Sequence, residues 1–304
     1  MESLKKLREI FLHEKDEVRR KDYWDSEETL RYYDETFAQR IGWKWQAVLR
    51  EFVEKVQVPS KISILDWGCG SGIATRTFLS QFPDHECEVY LYDRSNKAAR
   101  FAQEKICEQF PKTQVKLGLP KEKSQVLLLS HVLNEVDEKT LNSIKQLILK
   151  SDFTLWVEAG TYEISRKLIQ VREELRPTLS ILAPCPHQES CPILLDKNVK
   201  HWCHNFAEAP AEVFHSRFWT EFSKTFKIDL RSLPTSFLIL SRNQFTLAKE
   251  ENRILGRNKR LKSHVELVTC TSSKQIEEVS ISRRENVSAY KEYSESEFHK
   301  IYHA

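Results

Sequence analysis

A strand that runs into three closely spaced glycines and then into a helix constrains this chain more than any other feature. Ser63-Ile-Leu-Asp66 is a short apolar strand, Leu65-Asp-Trp-Gly-Cys-Gly-Ser-Gly72 is the turn, and Ile73–Phe82 reads as a helix. The 304 residues contain only seven glycines, so this cluster is not a by-product of composition. Glycines at 68, 70 and 72 let the backbone turn tightly and approach a ligand without side-chain obstruction. The spacing is not the G-x-G-x-x-G of dinucleotide folds, and Asp66 ahead of the turn would repel a pyrophosphate. It suits S-adenosylmethionine, whose amino group and sulfonium are cationic. Asp93, ending the next strand, is placed to accept hydrogen bonds from ribose hydroxyls. His131, after a later strand, is a further candidate contact, while Asn134 and Glu135 are placed to face a substrate. No catalytic residue can be picked out, and Cys69 reads as a small packing residue.

Beyond the turn, strands and helices alternate. Strands are expected at Glu88–Asp93, Gln114–Leu117, Gln125–Ser130 and Phe153–Glu158, and helices at Lys97–Gln109, Glu138–Leu149 and Glu163–Leu175. Such alternation predicts a parallel sheet with helices on both faces. Residues 1–57 look helical, with Leu4, Leu7, Ile10 and Phe11 at helical spacing. There the run Arg40-Ile-Gly-Trp-Lys-Trp45 reads as a packing surface, with RNA contact as the competing reading. Later strands are expected at Ser236–Ser241, His264–Thr269 and Glu277–Ser282, followed by a polar tail. The expected division is 1–57 helical, 58–180 a Rossmann-like core, 181–215 cysteine-rich, and 216–304 the last core strands with a basic loop and tail.

With 40% hydrophobic and 30% charged residues and a net charge of +3, the composition is that of a globular protein. No apolar run approaches the roughly 18–20 residues a membrane helix needs. The opening residues mix acids and bases, unlike a signal or transit peptide. A cytoplasmic protein with reduced thiols is therefore expected, monomeric when free.

Of seven cysteines, Cys185, Cys191 and Cys203 sit in one proline-marked stretch, and Cys270 lies in Leu267-Val-Thr-Cys-Thr271. Thiols in a reducing compartment read better as ligands than as disulfides. Prolines 184, 186 and 192 hold the loop irregular, which can aim several thiolates at one centre. The spacing matches neither zinc ribbons nor ferredoxins, so zinc and a [4Fe–4S] cluster both stay open, with His187, His201 and His204 as additional zinc donors. Cys87 and Cys107 read as buried packing residues.

Four elements together resemble one family: Ile64-Leu-Asp-Trp-Gly-Cys-Gly-Ser-Gly72, Ser130-His-Val-Leu-Asn-Glu135, Val157-Glu-Ala-Gly-Thr161 and Leu182-Ala-Pro-Cys-Pro-His187 with Cys191-Pro192. This is the methyltransferase-like family associated with the mitochondrial small ribosomal subunit, which also has bacterial members. The resemblance spans roughly residues 20–285. It implies a class I S-adenosylmethionine-dependent methyltransferase fold carrying a [4Fe–4S] cluster and acting on the small subunit near its rRNA. It implies Cys185, Cys191, Cys203 and Cys270 as cluster ligands, with His201 or His204 as substitutes for Cys203. Without a targeting segment the chain is expected to be a bacterial-type member. The loop bearing Arg253, Arg257, Lys259, Arg260 and Lys262 reads either as a solvated basic loop or as a contact to rRNA phosphates, and the resemblance favours the contact. Two alternatives stand beside this: a catalytically active rRNA methyltransferase, and a zinc-stabilised nucleotide-binding protein unrelated to ribosomes.

Overall fold

The computed structural model describes residues 2–13, 24, 26–245, 251–295 and 299–302. It divides into two compact units. One comprises Met1–Val157 with Ala209–Arg231, the other Glu158–Glu208 with Ser232–Ala304.

The first unit opens with helices α1 (Glu2–His13), α2 (Glu27–Glu35) and α3 (Phe37–Val53). Ser26 caps α2 by accepting the Thr29 N–H at 3.2 Å. The helical stripe is interrupted at Thr36, whose φ of −127° is not helical. Leu4 and Leu7 are buried as their spacing predicts; the side chains of Ile10 and Phe11 lie outside the described ones. Trp43 and Trp45 are buried, Trp43 against Trp219 at 5.0 Å and Trp45 donating its indole N–H to Ser130 Oγ at 3.0 Å. The aromatic run is therefore a packing surface.

Then follow β1 (Lys61–Trp67), α4 (Ile73–Gln81), β2 (Glu86–Tyr92), α5 (Asn96–Gln109), β3 (Gln114–Leu117), β4 (Val126–Ser130), α6 (Glu138–Lys150) and β5 (Phe153–Ala159). Their sheet runs β3-β2-β1-β4-β5, all parallel. Four successive residues of β4, Val126 to Leu129, are buried, as expected of a central parallel strand. The order reverses between β1 and β4. Right-handed crossovers on either side of that point carry helices to opposite faces, and a crevice opens at the strands' carboxyl ends. This is the expected Rossmann-like core of a class I methyltransferase. Cys87 is buried, but Cys107 is exposed, because it stands on the outer side of α5.

The second unit contains α7 (Tyr162–Leu175), β6 (Ser180–Ala183), β7 (Asn205–Ala207) and β8 (Leu233–Ser241), with β8 paired antiparallel to both β6 and β7. The segment from β6 to β7 has only short 3-10 turns, at Pro192–Leu194 and Asp196–Asn198. The strands after β8 do not extend the core sheet, against the expectation from sequence. β9 (Asn252–Ile254), β10 (Lys259–Arg260), β11 (His264–Cys270), β12 (Ile276–Ser282) and β13 (Ile301–Tyr302) form a sheet of their own, built on the antiparallel pair β11 and β12. The expected polar tail contains a helix, α8 (Val287–Glu295). It forms because Tyr290 and Tyr293, one turn apart, bury against Ile254, Val265, Leu267 and Ile281. Among the described residues no helix is long and apolar enough to cross a membrane.

Candidate functional site

In the first unit, the ends of β1, β2 and β4 surround a cavity of about 260 Å³. The glycine turn forms its floor, with Gly68, Gly70 and Gly72 all at positive φ (73°, 53° and 77°). Any other residue would be strained at 68, where an added Cβ would come within 2.7 Å of Val132 Cγ1. At 72 it would come within 2.9 Å of Ala102 Cβ, so Gly72 serves close helix packing and does not line the cavity. The turn hangs on the end of β2: Gly68 and Cys69 N–H groups donate to Tyr92 O at 2.7 and 3.1 Å.

Asp93 lines the cavity, its carboxylate accepting the Gly70 N–H at 2.9 Å and the Ser95 N–H at 2.8 Å. Asp66 is placed differently from the sequence expectation. It is fully buried and does not line the cavity; Oδ2 accepts the Thr75 hydroxyl at 2.7 Å while Oδ1 has no partner. Burial, against the opposing effect of Thr75, pushes its carboxyl up to about 7.

His131 lines the cavity at a φ of 57°, in the left-handed region where a non-glycine residue is uncommon. Its ring lies 3.4 Å from Lys44 Nζ on one side and 3.4 Å from Ser130 Oγ on the other. Burial, then the neighbouring charge of Lys44, holds it well below the usual histidine range, so it is neutral. Glu135 also lines the cavity, and Asn134 does not. Sequence reasoning missed the aromatic walls: Trp24, Tyr33, Trp67 and Tyr92. Trp67, inside the glycine motif, was the visible signal; it lies 5.5 Å from Tyr92 in a tilted pair. A glycine floor, a carboxylate at the end of β2 and aromatic walls fit a nucleoside-bearing cation.

The second unit holds the cysteines. Cys191 and Cys270 are buried in one cluster with Ile169, Ile193 and Leu255, and Cys203 packs against it. Burial raises the thiols, Cys191 to about 12 and Cys203 and Cys270 well above their usual range. In each case Cys185 is the next largest cause, so all four sulfurs share one neighbourhood. His187 closes it, with Nε2 at 3.8 Å from Cys270 Sγ and Nδ1 without a partner.

The other two histidines are turned elsewhere. His201 reaches Glu278 at 3.7 Å, and His204 stacks on Trp202 at 4.4 Å. The geometry thus gathers Cys203, and neither neighbour, with Cys185, Cys191 and Cys270. Among the described residues no three His, Cys, Asp or Glu side chains are arranged to hold a single metal ion.

Helix α7 holds this loop in place. Ser165 donates to Cys203 O at 2.6 Å, and Arg166 to Ile193 O at 3.2 Å and His201 O at 3.0 Å. Arg172, only 2% exposed, donates its Nε–H to Cys185 Sγ at 3.2 Å and Nη2 to His187 O at 3.3 Å. Glu173 pairs with Arg172 and accepts the Cys191 N–H at 3.0 Å. Sequence reasoning passed over Arg172. Its signal was a charge set in the buried stripe Leu168, Ile169, Val171 and Leu175.

The basic loop is narrower than its sequence. Arg253 is buried, donating Nε and Nη2 to Asn205 Oδ1 at 2.8 and 2.6 Å, so it does not face outward. Arg257 stacks over Phe206 at 4.4 Å. Lys259, Arg260 and Lys262 are exposed, Lys259 within 2.9 Å of Glu266.

The family model for the mitochondrial small ribosomal subunit protein Rsm22 matches residues 28–301. Similar solved structures include magnesium protoporphyrin IX methyltransferase (ChlM) from Synechocystis PCC 6803, 13% identical, with a TM-score of 0.42, covering 79% of this chain and 100% of that one. The plantazolicin methyltransferase BpumL is 13% identical, TM-score 0.44, covering 79% and 99%. Precorrin-6y C5,15-methyltransferase from Geobacter metallireducens GS-15 is 11% identical, TM-score 0.38, covering 65% and 86%. At such values the fold stands on its own strand order, not on these likenesses. No curated protein matches the sequence.

Proposed function

The chain belongs to the mitochondrial small ribosomal subunit Rsm22 family, and on that footing we propose that it is a cytoplasmic, S-adenosylmethionine-binding factor that acts on the small ribosomal subunit and carries a [4Fe–4S] cluster. The observation that carries the cluster is the convergence of Cys185, Cys191 and Cys203 from one stretch and Cys270 from another into one neighbourhood. A zinc ion holds thiolates about 2.3 Å from itself, so its ligands must nearly touch. A [4Fe–4S] cluster, several atoms across, would draw its four thiolates from such a shared neighbourhood, with zinc as the alternative. Such a cluster would cross-link the loop to β11 and make folding of this unit depend on iron.

Anaerobic purification tests this directly. Stoichiometric iron and acid-labile sulfide with broad visible absorbance are expected; stoichiometric zinc in a colourless protein overturns the cluster. Co-sedimentation with small ribosomal subunits tests the partner.

The methyl-donor reading rests on the glycine floor and Asp93. Ser130, His131 and Glu135, on the same cavity, favour a second reading, methyl transfer to rRNA. Proximity of donor and acceptor would supply much of the rate. Labelled methyl groups appearing on rRNA, and lost in Asp93→Ala, would make the protein an enzyme rather than a binding factor.

A further inference from the structure

The side chains on one face of α7 meet the cysteine loop in reverse sequence order. Ser165 and Arg166 hold the stretch around Ile193 and Cys203, Ile169 packs on Cys191 and Cys270, and Arg172, Glu173 and Arg176 hold the stretch from Cys185 to Cys191. Most of these contacts go to backbone atoms and need only a donor or an acceptor. Arg172 differs. Its Nε–H points at a sulfur, Cys185 Sγ, at 3.2 Å from a guanidinium that is 2% exposed. Its partner Glu173, through the same carboxylate, accepts the N–H of Cys191, a second member of the site. Arg176 donates to the other Glu173 oxygen at 3.0 Å and to Ser190 Oγ at 2.8 Å, so the carboxylate is fixed in place.

We propose that Arg172 and Glu173 are an electrostatic brace that sets the reduction potential of the centre held by the cysteines. The inference rests on the reading of those cysteines as cluster ligands. A thiolate-bound iron–sulfur centre is anionic, and its potential is governed by net charge, hydrogen bonds to sulfur and solvent exposure. A buried cation donating N–H to one ligand sulfur stabilises the extra negative charge of the reduced centre and raises the potential. A half-buried carboxylate beside it does the reverse. The two residues therefore act with opposite sign, which simple packing would not produce. They are positioning residues: neither is placed to ligate iron.

The test is a redox titration of the anaerobically purified protein, in which dithionite gives one electron to the centre and is itself oxidised. Visible absorbance and electron paramagnetic resonance report the midpoint. Arg172→Gln is expected to shift the midpoint to lower potential and Glu173→Gln to higher potential, since glutamine can still accept the Cys191 N–H. Arg172→Lys keeps the charge and should stay nearer the unaltered protein than Arg172→Gln does. If Arg172→Gln fails to fold, the opposite shift in Glu173→Gln and the retained potential in Arg172→Lys still carry the test. Unchanged midpoints, or shifts of one sign in both glutamine variants, overturn the brace. An unaltered protein without iron and sulfide overturns the cluster reading itself, a separate outcome.

Discussion

Thr75 donates its hydroxyl to Asp66 Oδ2 at 2.7 Å inside a fully buried site, yet this bond does not offset burial, and the carboxyl rises to about 7. In the unfolded chain the group titrates near 3.8. Between those values the folded protein binds the proton and the unfolded chain does not. The contribution to stability is therefore complete below about 4 and is lost as pH rises through 7.

Denaturation midpoints at pH 5 and pH 8 should accordingly show the first unit weaker at pH 8. Only the part of the window from pH 5 to 7 falls between the two measurements, which sets an upper bound of roughly 3 kcal/mol on the effect. Asp66→Asn should flatten the dependence, and an equal slope in that variant would refute the assignment.

Asp93→Ala removes the carboxylate that joins the glycine turn to the end of β2. Loss of a charged hydrogen-bonding partner is worth about 1.5–3 kcal/mol, so affinity for S-adenosylmethionine should fall roughly 10- to 100-fold by calorimetry. Unchanged affinity would show that the cavity binds something else.

Asp34 and Arg76 form an ion pair with both side chains nearly excluded from water (9% and 7% exposed). Asp34→Ala leaves the guanidinium without its carboxylate and should destabilise by about 3–5 kcal/mol. A double replacement by apolar residues of similar volume should lose much less, a contrast that denaturant titration resolves.

Reversing the charges of exposed Lys259, Arg260 and Lys262 should weaken co-sedimentation with small subunits and reduce its salt dependence, with little change in melting temperature. Arg253→Ala should do the opposite. It strips the partner from Asn205 Oδ1 in a buried site, so the fold weakens first. Identical behaviour of the two variants would remove the basic loop from the interface.

How much was legible beforehand follows from the range of the forces involved. The β1 strand, the glycine turn and α4 were readable because period and backbone requirement lie within a few residues. So were the strands and helices up to α7, to within a residue or two at their ends. The helix α8 was not, since its few apolar residues are set among polar ones and the burial of Tyr290 and Tyr293 needs strands from elsewhere in the chain. Cysteine spacing alone left a zinc site with histidine donors as open as a cluster. Packing turned His201 toward Glu278 and His204 onto Trp202, and brought Cys203 to its fellows.

The chain's own order of residues determined the parallel core, the glycine floor at 68 and 70, and the carboxylate at 93, because strand period and positive φ are local demands. Only the tertiary structure decided that Asp66 is sealed behind the turn, that Arg253 is spent on Asn205, and that Arg172 points at a sulfur. Each of those depends on a desolvated partner on another element of the fold, and no local pattern encodes which polar group will be waiting there.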